Sequence, residues 1–290
     1  MAKNGKDWTV LSMMEWATGY FQEKQVPSPR LSIEWILSHI LEIRRLDLYL
    51  RFDRPLSQSE LDKIRPLVRQ RLKQEPLQYI TGSTEFRNAT IQVDPSVLIP
   101  RPETEELIDL VLEETGDLEH ADIVDIGTGS GCIPIALKME RPGWELTGID
   151  ISRDALKTAA DNAELNKTQI AFKEGDFFNG DGLFESQSLD VVISNPPYVL
   201  ESEKAGMEKQ VVDFEPGLAL FTSDLPGVYS AIRDVATVWL KPEGWLFLEI
   251  HEDFGSEILA LFSGENWRSE IKKDASKKDR FIACKRLIVS

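Results

Sequence analysis

Residues 194–198 read SNPPY and follow LDVVI, an apolar run with the character of a buried strand. Pro196 and Pro197 remove two backbone N–H donors and fix two φ angles, so they end the strand and stiffen the turn. The turn then offers carbonyl acceptors and few donors, while Asn195 adds an amide and Tyr198 a flat ring. Such a site suits a planar group that donates N–H bonds, an amide or an exocyclic amine. The same residues could also make only a rigid turn with a buried tyrosine.

A second stretch with chemical character is IVDI running into GTGSG, Gly127, Thr128, Gly129, Ser130 and Gly131, before a helical pattern. Glycines let the backbone approach a ligand closely, and a following helix start offers free N–H groups. The dinucleotide fingerprint G-x-G-x-x-G fails in either register, because Cys132 or Pro134 occupies the third glycine position. No Lys-Ser/Thr ending supports a phosphate loop either. Asp125 precedes the glycines, and Asp150 ends the next strand, where a carboxylate could accept both hydroxyls of a ribose. Carboxylates on both sides of a glycine loop suit a nucleoside carrying a positive amine and no pyrophosphate, which describes S-adenosylmethionine. Asp176 and Phe177, in EGDFF, could take and cover the adenine. Their plainer readings are a helix cap for Asp150, a turn for Asp176 and core packing for Phe177.

The elements that must position these residues fall into three regions. Residues 1–82 read as a small helical bundle: Trp8 to about Lys24, a Ser28-Pro29 start, and a Ser57/Glu60 capping box ahead of Leu61, Ile64, Val68 and Leu72. Pro66 predicts a kink or split in the last helix. Residues 83–98 alternate in polarity, which predicts a hairpin linker between two domains. Residues 99–290 open with an acidic helix start at Pro102 and then alternate strand with helix. Strands are expected at 121–126, 145–150, 169–173, 189–194 and 245–250, with helices at 132–140, 153–166 and 227–240. A terminal antiparallel pair at 267–273 and 279–288 is expected on the sheet edge. The fold class is α/β, a mainly parallel Rossmann-like sheet with an antiparallel edge strand, behind a helical N-terminal domain.

The chain has 290 residues, 42% of them hydrophobic, and a net charge of −16. Residues 1–100 carry 14 Lys/Arg against 12 Asp/Glu, whereas 101–290 carry 19 against 37. An acidic larger part repels a phosphate backbone and suits a protein substrate better than a nucleic acid. No apolar run spans a bilayer and MAKNGKDWTV lacks a secretory apolar region, so no membrane partner and a cytoplasmic location are expected. The two cysteines, Cys132 and Cys284, lack metal spacing and are expected as packed thiols. His39, His120 and His251 lie in no motif and are expected to be structural or on the surface.

VDIGTGSG, GID at 148–150, GDFF at 175–178 and SNPPYV at 194–199 together resemble class I methyltransferases of the NPPY type. QYITGSTEF at 78–86 and LIPRPETEELI at 98–108, with SHILEIRRLDLYL and FEPGLALF, narrow the resemblance to the release-factor glutamine methyltransferases, the HemK/PrmC family. That resemblance implies methyl transfer from S-adenosylmethionine to a glutamine amide nitrogen, in the GGQ motif of peptide chain release factors, by a monomer. It implies cofactor contacts from Asp125, the 127–131 loop, Asp150, Ile151, Asp176, Phe177 and Asn195. The Asn195 side-chain oxygen and the Pro196 carbonyl would accept the substrate amide's N–H bonds, with Pro197 and Tyr198 completing the substrate site. A nucleic-acid base methyltransferase is the alternative, since it would use the same acceptors on an exocyclic amine. TSDLPG at 222–227 and EIHEDFG at 249–255 depart from the family pattern and touch none of these motifs.

Overall fold

The computed structural model describes residues 8–180 and 182–288. The chain divides into two compact units, Met1–Gly82 with Glu208–Phe214, and Ser83–Met207 with Glu215–Ser290. The first contains α1 (Val10–Glu23), α2 (Pro29–Leu41), a 3-10 turn at Arg45–Leu50, α3 (Gln58–Leu72) and α4 (Leu77–Thr81). Thr9 and Ser12 cap α1 reciprocally, and Ser57 and Glu60 do the same for α3. Met13, Met14, Phe21, Ile33, Ile36 and Leu37 are among the buried side chains of its core. α3 runs through Pro66 without the expected split. Pro66 lies on the exposed face, where water can take up the carbonyl that a missing N–H leaves unbonded.

Arg71 explains why the distant segment 208–214 belongs to this unit. It is 3% exposed. Its guanidinium donates to Ser32 Oγ, the Pro27 and Glu75 carbonyls and Gln210 Oε1 at 2.8–3.1 Å. Burial lowers its pKa, and these neutral acceptors satisfy its fork.

The second unit starts with the hairpin β1 (Ser83–Phe86) and β2 (Ala89–Gln92), then α5 (Pro102–Glu114), β3 (Asp122–Ile126), α6 (Cys132–Glu140), β4 (Glu145–Asp150), α7 (Arg153–Leu165), β5 (Ala171–Glu174) and β6 (Leu189–Ser194). Two short strands, β7 (Val199–Leu200) and β8 (Phe221–Thr222), pair in parallel. Between them in the chain lie the one-turn helices α8 (Lys209–Val212), which packs with the first unit, and α9 (Gly217–Leu220). α10 (Leu225–Trp239), β9 (Leu240–Glu249), α11 (Gly255–Leu261), β10 (Trp267–Lys273) and β11 (Asp279–Arg286) complete it. The seven-stranded sheet has the order β10-β11-β9-β6-β3-β4-β5. The pairs from β9 to β5 are parallel, and β11 is antiparallel to both neighbours. The antiparallel strand therefore lies one place inside the edge, with β10 outside it. α10 buries Val228, Tyr229, Ile232, Ala236 and Trp239 against the sheet, and α11 was not legible as a separate element. Among the described residues no helix is long and apolar enough to cross a membrane.

The hairpin expected as a linker packs with the second unit, and two asparagines one turn apart, Asn162 on α7 and Asn166 at its C-cap, account for it. Asn162 Oδ1 accepts from Gln92 N at 2.7 Å, and its Nδ2 donates to the carbonyls of Gln92 and Ser130 at 2.9 Å. Asn166 makes the same two-point bond to Thr90, with Oδ1 accepting at 3.1 Å and Nδ2 donating at 2.9 Å. The side-chain amides thus take the place of a neighbouring strand along the free edge of β2. Asn162 also fastens the glycine loop through Ser130.

Asn162→Ala would leave the buried Ser130 carbonyl and part-buried backbone groups of Gln92 unpaired, so we expect a loss of about 3 kcal/mol in unfolding free energy. Asn166→Ala, at a wetter position, should cost less than about 1 kcal/mol. Urea denaturation of both variants measures the difference, and equal losses would refute the assigned role of Asn162.

Candidate active site

The parallel strands bring four chain segments to one rim of the sheet. β3 ends at GTGSG, β4 at Asp150, β5 just before Asp176 and β6 at SNPPY. A cavity opens at this rim, lined by Gly127, Gly129, Asp150, Ile151, Asp176, Phe177, Asn195 and Pro197 from the expected set. Residues Ser96, Val97 and Leu98, together with Pro216, Leu218 and Ala219, also line it and had not been singled out as contacts. They come together because Glu215, buried in the FEP stretch, accepts from Ile99 N at 3.2 Å and from Arg101 Nη2 at 2.7 Å. The family-like stretches IPRPETE and FEPGLALF are therefore joined by one carboxylate.

The glycine loop has the geometry its composition implied. Gly127, Gly129 and Gly131 have φ of 71°, 53° and 77°, in the region that L side chains rarely adopt. A Cβ at Gly127 would meet no atom within 4 Å, so the loop leaves room on its open side, whereas at Gly131 it would stand 3.0 Å from Ala159 Cβ. Gly131 thus serves close packing of α7, and the first two glycines serve the cavity.

Asp150 accepts from Gly129 N and from Ser152 N, both at 2.9 Å. Ser152, not Asp150, caps α7. Burial raises the Asp150 pKa, and its backbone donors oppose that. Asp176 lines the cavity and also caps the turn behind it, accepting from Phe178 N at 2.9 Å and Asn179 Nδ2 at 2.8 Å. Phe177 packs on the core, and its stacked neighbour Phe178 stands 58% exposed at the cavity mouth.

Asp125, Thr128, Ser130, Gly131, Pro196 and Tyr198 do not line the cavity. Asp125 is buried on β3, and neither carboxylate oxygen has a hydrogen-bond partner among the described residues. Burial pushes its carboxyl up to about 7, opposed by the nearby Thr128 side chain and helped by the Asp150 charge. Thr128 and Ser130 are buried within the loop, and Pro196 is buried behind the turn. Tyr198 is half-buried and donates to Glu249 Oε1 at 2.9 Å.

Glu249 is the buried group that motif reading missed. It ends β9, is 1% exposed, and accepts from Tyr198 and from Thr104 Oγ1 at 2.8 Å. Thr104 Oγ1 in turn accepts from Asn195 Nδ2 at 3.1 Å. The Asn195 amide is thereby turned with its NH2 toward Thr104, and Oδ1 is the acceptor left on a residue that lines the cavity. His120, exposed on the Gly143 carbonyl, and the exposed His39 stand outside this arrangement, whereas His251 pairs with Glu203 at 3.1 Å and packs edgewise against Tyr198. No group of three His, Cys, Asp or Glu side chains among the described residues could hold a metal ion. Cys132 and Cys284 are buried free thiols.

Comparison with known proteins places the chain in a family. Residues 12–82 match the family described as PrmC N-terminal domain, and residues 104–213 the methyltransferase small domain. The chain is 37% identical to the release factor glutamine methyltransferase of Chlorobaculum tepidum, over 96% of this chain and 98% of that one. It is 39% identical to that of Nitratidesulfovibrio vulgaris, over 96% and 95%. A methyltransferase crystal structure from Pyrococcus furiosus shares the fold at a TM-score of 0.51 and 14% identity, covering 70% of this chain and 91% of that one. The chain belongs to the release factor glutamine methyltransferase family.

Proposed function

We propose that this protein transfers a methyl group from S-adenosylmethionine to the side-chain amide nitrogen of a glutamine, in the GGQ motif of peptide chain release factors. The observation that carries the reading is the orientation of Asn195, whose NH2 is held by Thr104 at 3.1 Å while its oxygen is left to a cavity shared with Gly127, Gly129 and Asp150. A nucleic-acid base could use the same acceptors, but the excess of acidic residues over 101–290 opposes a phosphate backbone.

The residues present fit the cofactor. The unpartnered Asp125 carboxylate under the loop favours a positive charge above it, and the open side of Gly127 and Gly129 admits close contact. Asp150 would hold the ribose, Ile151 and Phe177 the adenine faces, and Asp176 the adenine amine. S-adenosylmethionine supplies a methyl group on a positively charged sulfur that departs as a neutral thioether. An amide nitrogen is a weak nucleophile because its lone pair is delocalised, so the protein's task is orientation and electrostatics. Asn195 Oδ1 and the Pro196 carbonyl accept the two N–H bonds of the substrate amide and favour positive charge growing on its nitrogen. Tyr198 completes the planar cradle. None of the histidines serves as a base; once the nitrogen has gained its methyl group it is positively charged and strongly acidic, and it releases its surplus proton to water to leave the neutral N-methyl amide.

Residues 1–82 form the part that recognises the protein substrate. Their helical unit exposes Leu46, Tyr49 and Leu50 on the 3-10 turn, with Leu50 82% exposed, an apolar surface suited to a protein partner.

The primary experiment supplies isotopically labelled S-adenosylmethionine and an intact release factor and maps the modified residue by mass spectrometry; a label on any residue other than glutamine refutes the reading. Asn195→Ala should lower the single-turnover rate about 100-fold or more, the scale for losing an aligned polar group, with cofactor affinity nearly kept. Wild-type rates would return SNPPY to the status of a turn. Leu50→Asp should slow methylation of the intact release factor while leaving a short GGQ peptide unaffected, and parallel losses on both would count against substrate recognition by this unit.

Asp125 adds a pH dependence with a definite sign. Its folded pKa of about 7 lies above the ordinary carboxylate value of 3.8, so its contribution to stability is present below about pH 4 and lost as pH rises through 7. The cofactor-free Asp125→Asn variant should therefore melt above the wild type near pH 8 and converge with it near pH 4, while binding S-adenosylmethionine more weakly. Thermal midpoints across pH and calorimetric titration test this, and a constant offset between the two proteins would contradict it.

A further inference from the structure

A hydroxyl has one hydrogen to give, and an ionised carboxylate has none. Thr104 Oγ1 lies 2.8 Å from Glu249 Oε2 and 3.1 Å from Asn195 Nδ2, in a site where Thr104 is 3% and Glu249 1% exposed. Glu249 accepts a hydroxyl on each oxygen, Thr104 on Oε2 and Tyr198 on Oε1, so the Thr104 hydrogen is committed to Glu249. Toward Asn195 it can then only accept, and the amide must turn its NH2 to Thr104 and its oxygen to the cavity. The second carboxylate oxygen is held in the same sense by the Tyr198 hydroxyl at 2.9 Å. The Glu249 carbonyl accepts from the buried Tyr229 hydroxyl at 2.9 Å, which fixes the strand end that carries the carboxylate.

We propose that Glu249 is a positioning residue that sets the direction of this hydrogen-bond chain, and that through Thr104 it makes Asn195 an acceptor, not a donor, toward the substrate. The inference rests on the reading of Asn195 as the amide acceptor. It adds a determinant 54 positions further along the chain from Asn195, touching neither substrate nor cofactor. Without the carboxylate, the Thr104 hydroxyl is free to donate to Asn195 Oδ1, and the amide can present its NH2 to a substrate that also presents NH2. Two donors facing each other cannot hold the nitrogen in line with the methyl group.

The test uses the full-length protein, an intact release factor and single-turnover rates, with cofactor affinity and the thermal midpoint measured on each variant. Thr104→Val, which keeps the shape and removes the relay, should lower the rate about tenfold or more with cofactor affinity within about twofold of wild type. Thr104→Ser restores the hydroxyl and should restore the rate. Glu249→Gln should fall between them, because its single amide oxygen can serve only one of the two hydroxyl donors. In an Asn195→Ala background neither Thr104→Val nor Glu249→Gln should slow transfer further, since the group they position is gone. A wild-type rate in Thr104→Val, or an undiminished further loss in the Asn195→Ala background, overturns the proposal. A wild-type rate in Asn195→Ala alone instead overturns the reading on which it rests, so the two failures are distinguishable.

Discussion

β3 is hydrogen-bonded in parallel to β4 through the pair Asp125 and Gly148 and to β6 through Asp125 and Ile193. That double pairing sets the heights of three strand ends, and everything at the site depends on it. The chain leaves β3 toward β4 and β5 on one side and returns to β6 on the other, so a crevice forms where the direction of winding reverses. Parallel strands end on the same rim, and the glycine loop, Asp150 and SNPPY meet there although they are far apart in the chain. The pairing leaves little tolerance. A Cβ at Gly148 would stand 2.7 Å from Thr128 Oγ1 and 2.9 Å from the Phe172 ring, so the glycine-loop threonine and the β5 phenylalanine pack over β4 only because that position is glycine.

The same burial that holds the sheet together makes polar groups at its rim expensive, and the two buried acids meet that cost in opposite ways. Glu249 is surrounded by donors: burial raises its pKa, while Thr104, Tyr198 and the Arg280 charge oppose the rise. Asp125 has only the nearby Thr128 hydroxyl to oppose its desolvation, without a full hydrogen bond to either oxygen, and burial prevails. A satisfied buried acid rigidifies its neighbours, and an unsatisfied one stores free energy that an arriving positive charge can recover. The division suits a site that must hold one amide still and also attract a cation.

Much of this was legible because the motifs are local. GTGSG, GID and SNPPY each follow a strand whose apolar run is plain, and strand-helix alternation fixes the parallel sheet before any contact is known. α3 is not split at Pro66, because the proline sits on a wet face, which local sequence alone does not reveal. The cavity wall from 96–98 and 216–219 was not legible, since Glu215 joins segments more than a hundred residues apart. Glu249 was hidden for a similar reason. In LFLEI it reads as the end of a buried strand, and nothing near it in sequence announces partners 145 and 51 residues away. Local pattern reveals residues that meet a ligand, and long-range side-chain bonds decide which way those residues face.

The EIHEDFG departure can be understood on that basis. His251 Nδ1 accepts from Asp253 N at 3.1 Å, so the ring proton lies on Nε2 and is donated to Glu203 Oε1, also at 3.1 Å. Glu203 in turn accepts from Leu200 N at 2.8 Å, two residues beyond Tyr198. The ring also packs edgewise against Tyr198 and Phe254. The bulky histidine therefore leaves Thr104 and Glu249 undisturbed and fastens the chain that leaves SNPPY to the end of β9. Asn195 is held from the α5 side by Thr104, and the turn that follows it is held from the β9 side by Glu249 and His251. A stiff proline pair between two such anchors has few ways to move, which is what a site built from acceptors alone requires. With no charged base to correct a misplaced nitrogen, geometry has to be right before the substrate arrives.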